Sequence, residues 1–254
     1  MHTRTRISQF ILFAVLGIIL ALAGGCSQEV EPLVVYAGKG LKNAMEEVKQ
    51  SFEQQEGIPI TLIYAGSDTL LTTLQKTHKG DVFIPGSSSY IKRAGELATT
   101  DQYVAHHTPI FAVRANTAKS LHSYPDLLKP GVQIAVGNKD MCAIGRIAEA
   151  ILSSSALQET FRPNIVITGS TVNELLQLVV DGEVDAALLW TDMLQWPEAK
   201  GLIPIALPDD VNKPKEIRVT VLSTSTSPNQ AMRFADFVAT EGQDIFTKHG
   251  FGVK

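Results

Sequence analysis

The chain has 254 residues, a formal net charge of −4, and 44% hydrophobic residues of which few are aromatic. That length exceeds what a single core of about 150 residues needs, so one large or two small domains are open. The acidic balance argues against a nucleic-acid partner, and any anion must be held by local groups rather than by a global field.

Arg4 and Arg6 give the chain a positive start, residues 10–23 are almost wholly apolar, and Ala23, Gly24 and Gly25 lead into Cys26. The apolar run is shorter than the roughly 20 residues that span a bilayer as a helix. With its flanking charge and its cysteine, the segment resembles a bacterial lipoprotein signal. The resemblance implies removal of residues 1–25, a diacylglycerol on Cys26, and a polar tether over 26–32; the alternative is an uncleaved membrane anchor. It places the protein in the cell envelope, held to the membrane by lipid and facing the periplasm or the cell exterior. The leader carries two arginines and no acid, so its loss leaves 229 residues and takes the charge from −4 to −6. Cys142 then has no partner for an internal disulfide.

Residues 33–37 read as a buried strand, and Gly38-Lys39-Gly40 releases the backbone before a helix on which Leu41, Ala44, Met45, Val48 and Phe52 recur at helical spacing, with Gly57 as the stop. The pattern repeats with a strand at 58–65, a helix over 67–77 capped by Ser67, a strand at 81–84 and a helix around 90–97. Strands follow at 110–113 and 132–136, the latter feeding a helix over 143–152. A strand at 165–168 leads into a helix over 172–180 that ends at Gly182, and 186–190 is a further strand. The last segment pairs a strand at 217–222 with one long amphipathic helix over 229–246. Alternation of this kind predicts an α/β fold with mainly parallel sheets flanked by helices. Two short crossovers, near Thr108-Pro109 and over 207–215, predict a discontinuous first lobe over 33–108 and 208–254 and a second lobe over 109–207.

In parallel α/β sheets the loops at the strands' carboxyl ends gather in one crevice, and the helices they start present unpaired N–H groups to it. Four such junctions carry small or polar residues: Gly38-Lys39-Gly40, Gly66-Ser67-Asp68-Thr69, Cys142-Ala143-Ile144-Gly145 and Ser170-Thr171-Val172-Asn173. Singly they are ordinary helix starts, since Ser67 and Thr171 are common caps. Together they suit a dehydrated oxyanion, which needs donors converging from several directions.

The order of residues adds to this. Val35 to Gly38, Leu41 to Met45, Tyr64 to Ser67 with Thr69-Leu70, Gly80 to Ile84, Val136-Gly137-Asn138 with Gly145, Gly182 to Asp185, Trp190 and the closing Lys248 to Phe251 together resemble the periplasmic molybdate-binding proteins of ABC importers. The resemblance implies a two-lobed type II solute-binding fold with the ligand cleft between the lobes, closing on a tetrahedral dianion, molybdate or tungstate, for delivery to a permease and ATPase. It implies contacts from Lys39 and Gly40, the Ser67 hydroxyl and backbone, the backbone of Ala143 and Ile144, the Val172 N–H, and Trp190. The family's first-loop serine falls at Gly40 and its tyrosine donor at Trp190, which donates only through the indole N–H. A divergent branch of the family shares both replacements.

Several residues admit plainer readings. Lys39 either offsets part of the guest's charge or is simply solvated, and Trp190 is either ligand wall or core filler. Asp68 is expected to serve its helix N-terminus and face outward. Cys142, beside Met141, is either a small buried residue or a soft-ligand contact for copper(I) or arsenite. His106 and His107 diverge as neighbours and take a surface or hinge role. There is no Gly-x-Ser-x-Gly elbow, His-Glu-x-x-His, Walker loop or dinucleotide fingerprint. The expectation is a monomeric binding protein without cofactor or catalysis; a different oxyanion, a soft metal species at Cys142, or a sensor or enzyme on the same lobes are the alternatives.

Overall fold

The apolar runs assemble into two five-stranded mixed sheets in the computed structural model, which describes residues 31–115, 121–153, 158–209, 212 and 214–253. The predicted leader, Cys26 and most of the tether lie outside the described residues, as does part of the second crossover. In chain order the elements are β1 (Leu33–Gly38), α1 (Lys42–Glu56), β2 (Ile60–Ala65), α2 (Ser67–Thr77), β3 (Val82–Ile84), α3 (Ser89–Ala94), β4 (Gln102–His107) and β5 (Pro109–Arg114). Then come β6 (Ile134–Gly137), α4 (Ala143–Ser153), α5 (Gln158–Phe161), β7 (Ile165–Gly169), α6 (Val172–Asp181), β8 (Ala186–Trp190), β9 (Leu202–Ala206), β10 (Lys215–Val221), α7 (Pro228–Ala239) and α8 (Glu241–Lys248).

The first sheet runs β2-β1-β3-β10-β4 and the second β7-β6-β8-β5-β9. In each, three adjacent strands are parallel and the remaining pairings are antiparallel. The α/β class is as read from the sequence, with more antiparallel pairing than a purely crossover-connected sheet would have. β4 and β5 are separated only by Thr108, so the chain passes from one sheet to the other within a single residue.

The helices form where the apolar spacing demands. Ala44, Met45, Val48 and Phe52 bury one face of α1, and Gly57 ends it in the left-handed region at φ 66°. Phe52 meets Phe234 and Phe237 of α7 edge-on, tying α1 to the C-terminal helices beneath the first sheet. A second apolar cluster runs from Leu70, Leu71 and Leu74 of α2 through Phe83 and Tyr90 into the strands and helices around the second sheet. The expected single C-terminal helix is two, α7 and α8, because Thr240 at φ −120° and ψ −92° leaves helical geometry between them. The strands β4 and β9 were not anticipated. Gln102–His107 alternates weakly, and the proline in Leu202–Ala206 is tolerated because β9 is an edge strand.

Candidate functional site

At the carboxyl ends of β1, β2, β6, β7 and β8 the two sheets border one narrow cavity. Lys39, Gly40, Ser67, Ala143, Ile144, Val172 and Trp190, each expected at a ligand site, all line it, as do Gly86, His107 and Cys142. No carboxylate is among the lining residues.

Four helical starts point at this space. The turn Lys39–Leu41 leads into α1, and α2, α4 and α6 begin at Ser67, Ala143 and Val172. The first N–H groups of a helix have no intrahelical acceptor, and the summed peptide dipoles make these ends positive. Donors from separate directions therefore converge on one small volume lined without negative charge.

The side chains complete the arrangement. Ser67 is not the cap: Gly66 holds that position, and the Ser67 Oγ accepts from the Gly86 N–H at 3.1 Å, which leaves its hydroxyl proton free to donate. Thr171 does cap α6, accepting from the Glu174 N–H at 3.3 Å, while Glu174 accepts from the Ser170 N–H and hydroxyl. The approach across the cavity is close. A Cβ at Gly40 would lie 3.1 Å from Val172 Cγ2 and 3.6 Å from Trp190 Cδ1, so the family's serine has little room here. At Gly66 a Cβ would lie 2.8 Å from the Ser170 carbonyl oxygen and nearer still to that of Met141. The Asp68 N–H donates to the Met141 carbonyl at 3.2 Å, joining α2 to the loop before α4.

Asp68 does not face outward. It is 4% exposed and its carboxylate accepts from Arg146 at 2.6 Å, Arg93 at 2.7 Å and the Tyr90 hydroxyl at 2.5 Å. Burial would raise this carboxyl, but the bonds from Arg146, Tyr90 and Arg93 outweigh it and hold it below the usual carboxylate range. Its helix position signalled an acid near an N-terminus; the arginine partners, 25 and 78 residues further on, gave no local signal.

His107 is not at the surface, although it stands beside Thr108 where the chain passes between the sheets. It is buried, its ring stacks on Trp190 with centroids 3.6 Å apart, and its Nε2 lies 2.8 Å from the Gly86 carbonyl oxygen. Its Nδ1 lies 3.5 Å from Oδ1 of Asp192, which is buried as well. Burial pushes the Asp192 carboxyl well above its ordinary value, and the neighbouring imidazole offsets that only in part. His106 points elsewhere, to the Tyr103 hydroxyl, and its backbone pairs with Gly252. Gly86, in the small-residue loop after β3, carried the same strand-to-helix signature as the other four junctions and was legible in principle.

Cys142 is a buried thiol whose Sγ faces the carbonyl oxygens of Asn138 and Gly169 at 3.5 and 3.9 Å. Burial pushes its pKa up to about 11 despite the backbone N–H of Gly145, so it is a neutral donor and not the thiolate that a helix start might favour. Among the described residues no cluster of His, Cys, Asp and Glu has the makings of a metal site, and no helix is long and apolar enough to cross a membrane.

Known proteins share this architecture. A protein of Haemophilus influenzae named as a putative binding protein is 28% identical over 89% of this chain and 92% of its own length. The molybdate-binding protein ModA of Escherichia coli is 24% identical over 96% of this chain and 97% of its own. The periplasmic molybdate-binding protein of Azotobacter vinelandii superposes with a TM-score of 0.73 at 15% identity, covering 87% of this chain and 99% of that one. The sequence pattern of the bacterial extracellular solute-binding proteins matches residues 33–252, nearly the whole described chain, and the protein belongs to that family.

Proposed function

We propose that this protein is the lipid-anchored receptor of an ABC importer and that it binds a tetrahedral oxyanion, molybdate or tungstate, by closure of two lobes without chemistry. The lobes are residues 33–108 with 208–254, and residues 109–207. The observation that carries the reading is the convergence of four helical starts on one cavity lined by no carboxylate. A dianion stripped of water needs that kind of cradle, with N–H donors on several sides and no carboxylate to repel it. Lys39, Gly40 and Ser67 would meet the guest from one lobe, and Ala143, Ile144, Val172 and Trp190 from the other. A guest touching both lobes lowers the free energy of the closed form more than the open one, and the closed form is what a permease would read. The likeness to molybdate-binding relatives supports the choice of ligand, and the apolar leader ending at Cys26 supports the anchor.

A soft-metal site at Cys142 is less well supported, because its thiol is occupied with carbonyls and held neutral. The test is a thermal-shift and calorimetric panel of molybdate, tungstate, sulfate, phosphate, arsenite and copper(I). A ligand that binds only the native state at a hundred times its Kd adds about 2.7 kcal/mol of stability. Protection by molybdate or tungstate that persists in Cys142→Ser is expected. Protection by arsenite or copper(I) alone, lost in that variant, would overturn the oxyanion reading.

A further inference from the structure

The buried pair His107 and Asp192 is not needed to explain the cradle, and its hydrogen bonding is incomplete. The Gly86 carbonyl can only accept, so His107 Nε2 carries a hydrogen and its Nδ1 is the nitrogen turned to Asp192. Neither carboxylate oxygen of Asp192 and not the His107 Nδ1 has a well-formed hydrogen bond, and Nδ1 and Oδ1 face each other at 3.5 Å. A bare carboxylate in that position would be charged, buried and close to an anion, so the pair holds a proton. With one proton it is neutral overall, and His107 lines the cavity.

We propose that anion binding draws a second proton into the His107–Asp192 pair, so that the floor of the cavity turns from neutral to cationic as the guest arrives. This rests on the oxyanion reading and adds its regulation. In the bound state the proton entering from solvent sits on His107 Nδ1, which donates to the Asp192 carbonyl-type oxygen, while the other carboxyl oxygen keeps its own hydrogen. The attraction to the guest stabilises that state, and by reciprocity the guest binds more tightly where protons are more abundant. The other titratable side chains on the cavity wall that His107 shares are Lys39 from the first turn and Cys142 from the loop before α4. Asp68 and Glu174 act on Cys142 from further out, and Asp68 is neutralised by Arg93 and Arg146. Trp190 covers one ring face of His107, and Phe251 stacks near it with centroids 5.9 Å apart, so neither brings a competing charge.

The experiment is titration of the whole protein with sodium molybdate by calorimetry, in buffers of differing ionisation enthalpy, over a pH range in which molybdate itself does not titrate. The dependence of the observed heat on the buffer counts the protons taken up. Uptake approaching one proton is expected, with Kd tightening up to tenfold for each unit of falling pH, and uptake falling to near zero in His107→Gln, whose amide can still donate to the Gly86 carbonyl but takes no proton. Molybdate binding with no proton uptake in the wild-type protein overturns the coupling and leaves the oxyanion reading standing. Uptake that survives in His107→Gln overturns it too, because the proton then goes elsewhere. Should that variant not fold, the wild-type count decides. Absence of both heat and thermal protection by molybdate overturns the oxyanion reading and this inference with it.

Discussion

Replacing Gly66 by alanine separates the stability of this protein from its capacity to bind. Gly66 sits at φ −63° and ψ 146°, a conformation open to any residue, so the local backbone accepts the change and the unfolded chain loses some entropy. What the new Cβ meets lies across the cavity: the Ser170 carbonyl oxygen at 2.8 Å and, closer, that of Met141. Both are backbone atoms and cannot swing aside as a long side chain would, so the two sides must part by on the order of 1 Å to restore ordinary contact near 3.5 Å. The Asp68 N–H to Met141 carbonyl bond, already 3.2 Å, then passes the useful range. A guest held from both sides loses about two charge-assisted hydrogen bonds of about 1.5 kcal/mol each, or about 3 kcal/mol, which is on the order of a hundredfold in Kd. Calorimetry with molybdate reads the affinity, and the melting temperature of the ligand-free variant reads the fold, which is expected to lose no more than the one Asp68–Met141 hydrogen bond, about 1 kcal/mol. An affinity within threefold of wild type would refute the argument, as would a ligand-free melting temperature lowered in proportion to the loss of binding.

Four further outcomes follow from the same geometry. Cys142→Ser keeps a donor for the Asn138 carbonyl, and molybdate protection in a thermal-shift assay is expected to persist; in the native wild-type protein a thiol reagent is expected to react far more slowly than with a free thiol, because burial raises this group to about 11. Thr171→Ala removes the cap of α6 and is expected to cost about 1 kcal/mol in denaturant unfolding. For Asp192 the folded value lies above the unfolded one, so its contribution is full below the unfolded carboxylate range and is lost as pH rises through the folded value; Asp192→Asn is expected to flatten the decline of ligand-free stability as pH rises from the unfolded carboxylate range. Asp68 has the opposite sign, its folded value being lowered, so its contribution is present above the unfolded value and fades as pH falls through the folded one; Asp68→Asn is expected to lessen acid sensitivity in urea midpoints measured from pH 6 downward.

Much of the fold was legible because its signals are local. Periodicity along α1 and the stops at Gly57 and Gly182 need only a few neighbouring residues to be read, and α2 falls on the residues its pattern marks. The cavity wall was legible for a related reason. Small residues between a strand and a helix mark the ends of parallel strands, and chain topology gathers those ends without further information. What escaped was non-local. Asp68 was read from its helix alone, as an acid complementing a dipole, whereas Arg146 arrives from an element 78 residues away. His107 was read against His106, yet its partners, Gly86, Trp190 and Asp192, come from elsewhere in the chain. The break at Thr240 escaped because the apolar spacing continues through it; Phe237 and Phe246 are both buried on either side.

Asp68 raises an electrostatic question for an anion site, since a buried carboxylate adjoins Ser67 on the cavity wall. Its partners answer it. Arg93 and Tyr90 come from α3, on the same side as Asp68, whereas Arg146 comes from α4, which begins at the opposite wall. With Arg93 alone the cluster is neutral; with Arg146 added it carries a net positive charge. On the two-lobed reading, that second arginine is in place only when the lobes meet, so closure supplies positive charge beside the guest at the moment water is excluded and electrostatic interactions strengthen. An empty closed form gains less from the same arginine, because there is no anion for the surplus charge to attract. On the oxyanion reading, closure and anion binding therefore favour one another through this cluster as well as through the shared donors. Arg146→Met, which keeps the stem and removes the charge, is expected to weaken molybdate binding roughly tenfold while leaving Asp68 paired with Arg93 and Tyr90. An equal loss in Arg93→Met would instead mean that total charge, and not its arrival with closure, is what matters.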